Sequence, residues 1–232
     1  MSARETILNA VRAGLDSRKV DAEAARREAD ALLQDLDAIR PKLPAGALVD
    51  AFIARVTSPK VAATAERIKD ITELPAAVRR YLDAHDLPPH VALQPAAVLE
   101  DLDWVALETR DGVKPDDVVG IGIARWGIAE TGSLVFHSGP ETPILANFLP
   151  LHHIVMVRER SILAFLDDYA VAVAGQRPPR NVNLITGASG TTDIEGSLVL
   201  GAHGPAHLHV VIVENDIHGD IDADKSTPGA SS

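Results

Sequence analysis

Three short segments carry residue types that can do chemistry. The first is Ile128-Ala-Glu-Thr-Gly-Ser-Leu-Val-Phe136. An apolar stretch meets Glu130, Thr131 and Gly132, and alternation then resumes, which is the pattern of a tight hairpin with Gly132 at a positive φ. A carboxylate in such a turn can face a cleft as nucleophile, base or anchor for a substrate hydroxyl. It can equally do no more than bond neighbouring amides. The second segment is Ile185-Thr-Gly-Ala-Ser-Gly-Thr-Thr-Asp-Ile-Glu195. Here a strand runs into Gly187, Ser189, Gly190 and Thr191, and an acidic pair opens a short helix. Free amides at a helix start, flanked by hydroxyls, bind phosphate or carboxylate. Thr192-Asp-Ile-Glu195 is also a capping box, and Asp193 stands where an anion would sit. That favours hydroxyl-bearing or metal-bridged ligands, or a purely structural cap. The third segment is Gly201-Ala-His-Gly-Pro-Ala-His-Leu-His209. On a strand, His207 and His209 share a face with Val211 and Val213, while His203 sits in a Gly-Pro loop as a candidate general acid or base.

If these loops meet, Glu130 serves as base or polar anchor and His203 as proton donor. Amides near Gly187 and Gly190 then steady a substrate oxygen. Thr131, Gly132, Ser189, Thr191, Asp193 and Glu195 complete the lining of that expected site.

Other motifs fail on spacing. No Gly-Lys-Ser/Thr follows the glycine-rich loop, so it is not a P-loop. In Gly120-Ile-Gly-Ile-Ala-Arg-Trp-Gly127 the third glycine is misplaced for a dinucleotide fingerprint. Asp220, Asp222 and Asp224 lack the glycine and distal glutamate of a calcium loop. His203, His207 and His209 with His152 and His153 match no metal-ligand spacing, so no metal site is expected.

Composition narrows the function further. The chain has 232 residues, with 22 Lys and Arg against 33 Asp and Glu, giving a formal charge of −11. Such a surface repels phosphate backbones and anionic membranes, so nucleic-acid and membrane partners are not expected. There is no cysteine. That removes disulfides, thiolate nucleophiles and iron–sulfur clusters ligated by this chain. Residues 1–10 lack the basic start and apolar run of a secretory signal, and no segment has the ~20 uninterrupted apolar residues of a membrane span. The expected setting is cytoplasmic.

The elements that must position the three segments follow from periodicity. Ser2 and Glu5 form a capping box ahead of Ile7, Leu8, Val11 and Leu15. A second helix is expected from Asp21 to Arg40, stopped by Pro41. The cluster Arg40-Pro-Lys-Leu-Pro-Ala-Gly46 reads as a linker. A short helix then carries Val49, Phe52, Ile53 and Val56. Strand-type runs follow at Val61–Thr64, His90–Leu93, Val118–Ile123, Ser133–His137, Ile154–Val157, Val182–Ile185 and His207–Val213, with helices at Leu74–His85 and Ser161–Ala174. This alternation predicts an α/β fold. Eleven of the 16 glycines lie between Gly120 and Gly204, where special backbone geometry is therefore concentrated. The expected organisation is an N-terminal helical extension (1–46), an α/β domain (47–215) and a disordered acidic tail (216–232).

Four segments, in this order and spacing, resemble the LUD domain of the lactate utilization protein C family. They are Ile128-Ala-Glu-Thr-Gly-Ser, Leu149-Pro-Leu-His-His-Ile-Val, Thr186-Gly-Ala-Ser-Gly-Thr-Thr-Asp-Ile-Glu and Gly201-Ala-His-Gly-Pro. The resemblance implies a parallel-rich sheet flanked by helices, similar to ribose-5-phosphate isomerase A and the CoA transferases. It implies a subunit of a system oxidising L-lactate to pyruvate, with a small carboxylate as ligand. The chain itself would carry no cofactor, and the iron–sulfur clusters would sit in partner subunits. The family usually has Pro where Ala188 stands and Arg where Gly190 stands. Losing that Arg removes an anion contact from the loop. Two other readings are an independent enzyme of CoA transferase-like or sugar-phosphate isomerase-like type using Glu130, and a non-catalytic interaction module docking through the Asp21–Arg40 stripe.

Overall fold

The computed structural model describes residues 2–14, 21–192 and 198–215. It divides into two compact units, Met1–Lys42 and Leu43–Ser232. Asp193, Glu195, the acidic triplet at 220–224 and the tail at 216–232 lie outside the described residues.

The first unit is helical. Helix α1 spans Ala3–Gly14 and opens on the expected capping box: Ser2 N donates to Glu5 Oε2 at 2.8 Å, and Glu5 N donates to Ser2 Oγ at 3.3 Å. Helix α2 spans Ala22–Gln34, capped by Asp21, whose side chain accepts from Glu23 N at 3.0 Å. The single helix expected to reach Arg40 is broken at Asp35 (φ −130°, ψ 67°), and Leu36–Ile39 forms a separate turn, α3. A backbone at those angles cannot continue an α-helix.

The second unit holds α4 (Leu48–Val56), β1 (Thr64–Asp70), α5 (Leu74–Ala84), β2 (His90–Leu93), α6 (Ala97–Glu100), β3 (Glu108–Asp111) and β4 (Val119–Ile123). It continues with β5 (Trp126–Ile128), β6 (Ser133–His137), β7 (His152–Arg158), β8 (Ile162–Leu163), α7 (Leu166–Ala172) and β9 (Val182–Ile185). It closes with β10 (Gly190–Thr192), β11 (Leu198–Leu200) and β12 (His207–Asn215). Six strands, ordered β1-β12-β7-β4-β2-β3, make an all-parallel sheet. A four-stranded sheet β8-β5-β6-β9 and a ribbon β10-β11 stand beside it.

Two apolar layers cover the parallel sheet. Alternate side chains of each strand point to opposite faces. Ile154, Met156, Val211 and Val213 therefore pack with Leu74, Val78 and Leu82 of α5 and Leu99 of α6. Val155, Val157, Val210 and Ile212 pack with Phe52 and Val56 of α4 and with Leu134 and Phe136 of β6. Burial on both faces explains why β7 and β12 read as unbroken apolar runs.

The connections define where a ligand can enter. From β2 the chain moves outward to β3, whereas from β4 it moves the other way to β7 and then to β12. The direction of winding thus reverses between the neighbours β2 and β4, and open α/β sheets bind ligands outside the carboxyl ends of the strands at such a point.

Three expectations are corrected. The strand expected at Val61–Thr64 begins only at Thr64, because Ala62 turns the chain at φ +55°. The helix expected at Ser161–Ala174 is confined to Leu166–Ala172, because Ile162 and Leu163 pair with Gly127 and Ile128 of β5. Thr191 and Thr192, expected to lead into a helix, pair instead with Val199 and Leu198 across the ribbon.

Candidate functional site

A cavity of about 520 Å³ opens at the carboxyl ends of β2, β4 and β7, on the reversal point of the sheet. Its walls come from residues just past the strands: Gln94 after β2, Ala124 and Arg125 after β4, and Arg158 and Arg160 at and after the end of β7. The loop Ser138–Thr142 after β6 closes one side. Among the described residues, three arginines and one carboxylate, Glu141, line it. Low-dielectric walls bearing one sign of charge concentrate the field on an anion.

The surrounding contacts hold these groups in place. Gln94 is 3 % exposed and ties the two sides of the reversal point together. Its Oε1 accepts from Ile123 N at 3.0 Å and its Nε2 donates to Thr142 Oγ1 at 3.3 Å. The Arg125 guanidinium lies 4.9 Å from the Trp126 ring centroid, and Nη2 donates to Gln176 Oε1 at 3.5 Å. Stacking of this kind fixes a guanidinium while leaving its in-plane donors directed outward. His137, at the end of β6, also faces the cavity. Its Nε2 is 2.7 Å from Tyr169 Oη, and burial raises the Tyr169 pKa while Arg125 opposes the rise. Gly122 clears the floor beneath, since a Cβ there would stand 2.7 Å from His153 Nε2. His153 is buried against Phe136, and burial lowers its pKa to about 4, so it is neutral.

Among the described residues, none of those expected from sequence lines this cavity. The Glu130 hairpin forms with Gly132 at φ +73°. It is the closed end of the β5–β6 hairpin, whereas Trp126 and His137 at its open end face the cavity. Glu130 Oε2 accepts from Leu166 N, the first amide of α7, at 2.9 Å. Thr131 Oγ1 lies 2.7 Å from Ser133 Oγ, which lies 2.5 Å from Thr186 Oγ1. Gly132 rests on Arg55 and Val56 at the end of α4, and Gly187 (φ +74°) rests on the Val61 carbonyl in the α4–β1 connection. Ser189 N donates to Pro205 O at 2.8 Å, and Gly201 N donates to Ser189 O at 2.9 Å. Thr191 pairs within the ribbon. His203 is exposed, with no hydrogen-bond partner among the described residues. The structure therefore joins the Thr131 turn to the Thr186–Gly187 loop, and Ser189 to the His203 loop, with none of these residues in the cavity lining.

The histidines gather at the opposite end of the sheet. His152 and His207 open β7 and β12 side by side, with rings 4.3 Å apart. Tyr81 of α5 places its hydroxyl 2.9 Å from His152 Nδ1 and its ring 4.7 Å from His209. His209 Nδ1 is 2.7 Å from Thr64 Oγ1, and its Nε2 is 3.3 Å from Glu66 Oε1. Burial, and then the nearby His207 and His85, lower the His152 pKa to about 4. Burial lowers that of His209 against the raising effect of Glu66, and raises that of Tyr81 to about 12. Among the described residues no three side chains are placed to hold a metal ion.

Sequence reasoning missed the arginines because each follows an apolar run and looks like a solvated strand end. The usable signal was Ile123-Ala-Arg-Trp126, an arginine and an aromatic directly after a buried strand.

Residues 117–213, which include Arg125, Arg158 and Arg160, match the family model described as the LUD domain. The match runs from β4 through most of β12. The chain is similar to proteins named lactate utilization protein C. The one from Geobacillus kaustophilus is 29 % identical over 166 residues, covering 61 % of this chain and 69 % of that one. The one from Halalkalibacterium halodurans is 30 % identical over 102 residues, covering 42 % and 44 %. An uncharacterized protein, YkgG of Escherichia coli, is 34 % identical over 102 residues, with the same coverage. The chain thus spans less than half the length of these last two relatives. A crystal structure of a DUF162 family protein from Deinococcus radiodurans shares the fold, with a TM-score of 0.52 at 20 % identity, covering 73 % of this chain and 99 % of that one.

Proposed function

We propose that this chain is a subunit of an L-lactate utilization system, in which L-lactate is oxidised to pyruvate, and that the arginine-lined cavity is its anion-binding site. The observation that carries this reading is the position of the cavity. It lies at the reversal point of the sheet, and its three arginines all fall inside the LUD-domain match. The name shared by several relatives supplies the metabolic setting. A chain without cysteine offers no thiolates to an iron–sulfur cluster, so the electrons would leave through clusters held by partner subunits. The likeness in topology to ribose-5-phosphate isomerase A and the CoA transferases belongs to the same reading. In it, Thr131, Gly132, Gly187, Ser189 and Thr191 maintain the loops rather than touch ligand.

An independent enzyme with Glu130 as nucleophile has no observation in its favour, because that carboxylate caps α7. The test is deletion of the gene in its host. The expected result is lost growth on L-lactate as carbon source, restored by the wild-type gene, and co-purification of the tagged chain with iron–sulfur proteins. Unchanged growth together with recovery of the chain alone would overturn the assignment.

A further inference from the structure

We infer that this chain pairs with a second copy of itself through an uncharged, apolar face at the amino ends of β7 and β12. The inference goes beyond the metabolic reading and uses no side chain of the cavity.

The face is built from three segments that the fold brings together. Residues 142–151 lead into β7, residues 186–192 run from the Gly187 loop into β10, and residues 198–206 run from β11 to the start of β12. His207 N donates to Leu151 O at 3.1 Å, which ties the first segment to the third. Ser189 N donates to Pro205 O at 2.8 Å, which ties the second to the third. A Cβ placed on Gly204 would stand 3.2 Å from Ser189 Cβ and 3.8 Å from Phe148 Cδ1, so the Phe148 turn lies against that junction. Leu145, Phe148, Leu151, Val199 and Leu200 are 64, 37, 46, 45 and 51 % exposed. Single apolar residues scattered over a surface need no explanation, but five on adjoining segments form the kind of patch that marks an interface. The ribbon points the same way. Among the described residues it has two strands, and a two-stranded ribbon is marginally stable unless another surface packs on it.

Charge identifies the occupant. The chain carries −11 overall, and 24 % of its residues are Asp, Glu, Lys or Arg. The three segments contain none of these, and His203 is their one ionisable side chain. Two bodies of the same large charge repel, and the repulsion is least at a face that brings no charges into contact. A face that binds an oppositely charged partner is marked instead by complementary charge, which steers encounter and excludes wrong partners. Carboxylates are abundant in this chain, yet these segments hold none. Neutrality at an apolar patch is therefore the complementarity that a second copy requires. A twofold pairing also sets the same patch against itself, so each copy covers the other's exposed side chains.

The experiment is sedimentation velocity of the full-length chain, from micromolar to hundreds of micromolar concentration, at low and at high salt. A species of twice 24.6 kDa is expected. Its dissociation constant should fall as salt rises, because screening removes the repulsion between copies and leaves the apolar contact. Leu145→Asp and Val199→Asp each put like charges on both sides of the pair and should weaken it about tenfold or more. Both positions are exposed, so the variants should keep the circular dichroism and melting temperature of the wild type. Val105→Asp, at a position 93 % exposed between α6 and β3, should leave the dissociation constant unchanged within about twofold. A chain monomeric throughout the concentration range, pairing that salt weakens, or indifference to both face substitutions would overturn the inference. So would a chain that is monomeric alone and binds a different protein through Leu145.

Discussion

At the carboxyl ends of β2, β4 and β7 the sheet presents arginines around open space, whereas at the amino ends of β7 and β12 it presents histidines and a tyrosine packed on one another. Both ends are rich in polar side chains. At the first, Arg125, Arg158 and Arg160 share one sign of charge and face a recess able to admit a ligand. At the second, Tyr81, His152 and His209 find partners within the fold, and burial keeps the two histidines neutral near pH 7. The glycine-rich loops at Gly187 and Gly201 belong with the second group, since each is fitted against neighbouring backbone or side chains. Polar residues concentrated in loops are therefore not sufficient to mark a site. What separates the two ends is whether the polar groups border open space.

Substitutions can break this comparison. The largest effect should come from Gly187→Ala, which drives a methyl group into the Val61 carbonyl at a left-handed backbone position. A loss on the order of 3 kcal/mol is expected in urea denaturation. A stability change within experimental error would mean that this loop is not the fitted support described.

Acid should act next, and at the histidine end. His152 and His153 have folded pKa values of about 4, below the ordinary 6.5, and that of His209 is also lowered. Between those values the unfolded chain binds more protons than the folded one. Stability is therefore full above pH 6.5 and falls as pH drops toward 4. Thermal unfolding followed from pH 7.5 to 4.5 checks this, and a melting temperature flat across the range would contradict it.

Two smaller effects sharpen the contrast. Glu130→Ala removes the acceptor of Leu166 N and should cost about 1–2 kcal/mol, with anion affinity unchanged within about twofold. Loss of anion binding in that variant would return Glu130 to the site first expected for it. His203→Ala, at an exposed position, should change stability by no more than about 0.5 kcal/mol and leave affinity alone.

Much of the fold is legible in the residues. His90–Leu93, Ser133–His137 and Val182–Ile185 are strands over the expected spans, because apolar runs bounded by turn residues have few alternatives. The Gly132 turn was readable for the same reason. Ile162 and Leu163 were not, since their pairing with β5 is a tertiary fact that overrides the helical spacing of the residues after them. The site was less legible still. Glu130, Ser189 and His203 stand out by residue type, but their roles depend on which neighbours satisfy them. Arg125, Arg158 and Arg160 lie up to 35 positions apart and come together only because β4 and β7 are adjacent and parallel. The reversal of winding that opens the space between β2 and β4 depends on strand order, which no local pattern encodes.

The most direct test is a backbone amide NMR titration of the full-length chain with L-lactate. The account predicts that the anion shifts resonances of Gly122–Trp126, Ser138–Thr142 and Arg158–Leu163, leaving Thr131, Ser189 and His203 in place. Shifts centred on Thr131, Ser189 and His203, with the arginine segments unmoved, would contradict it.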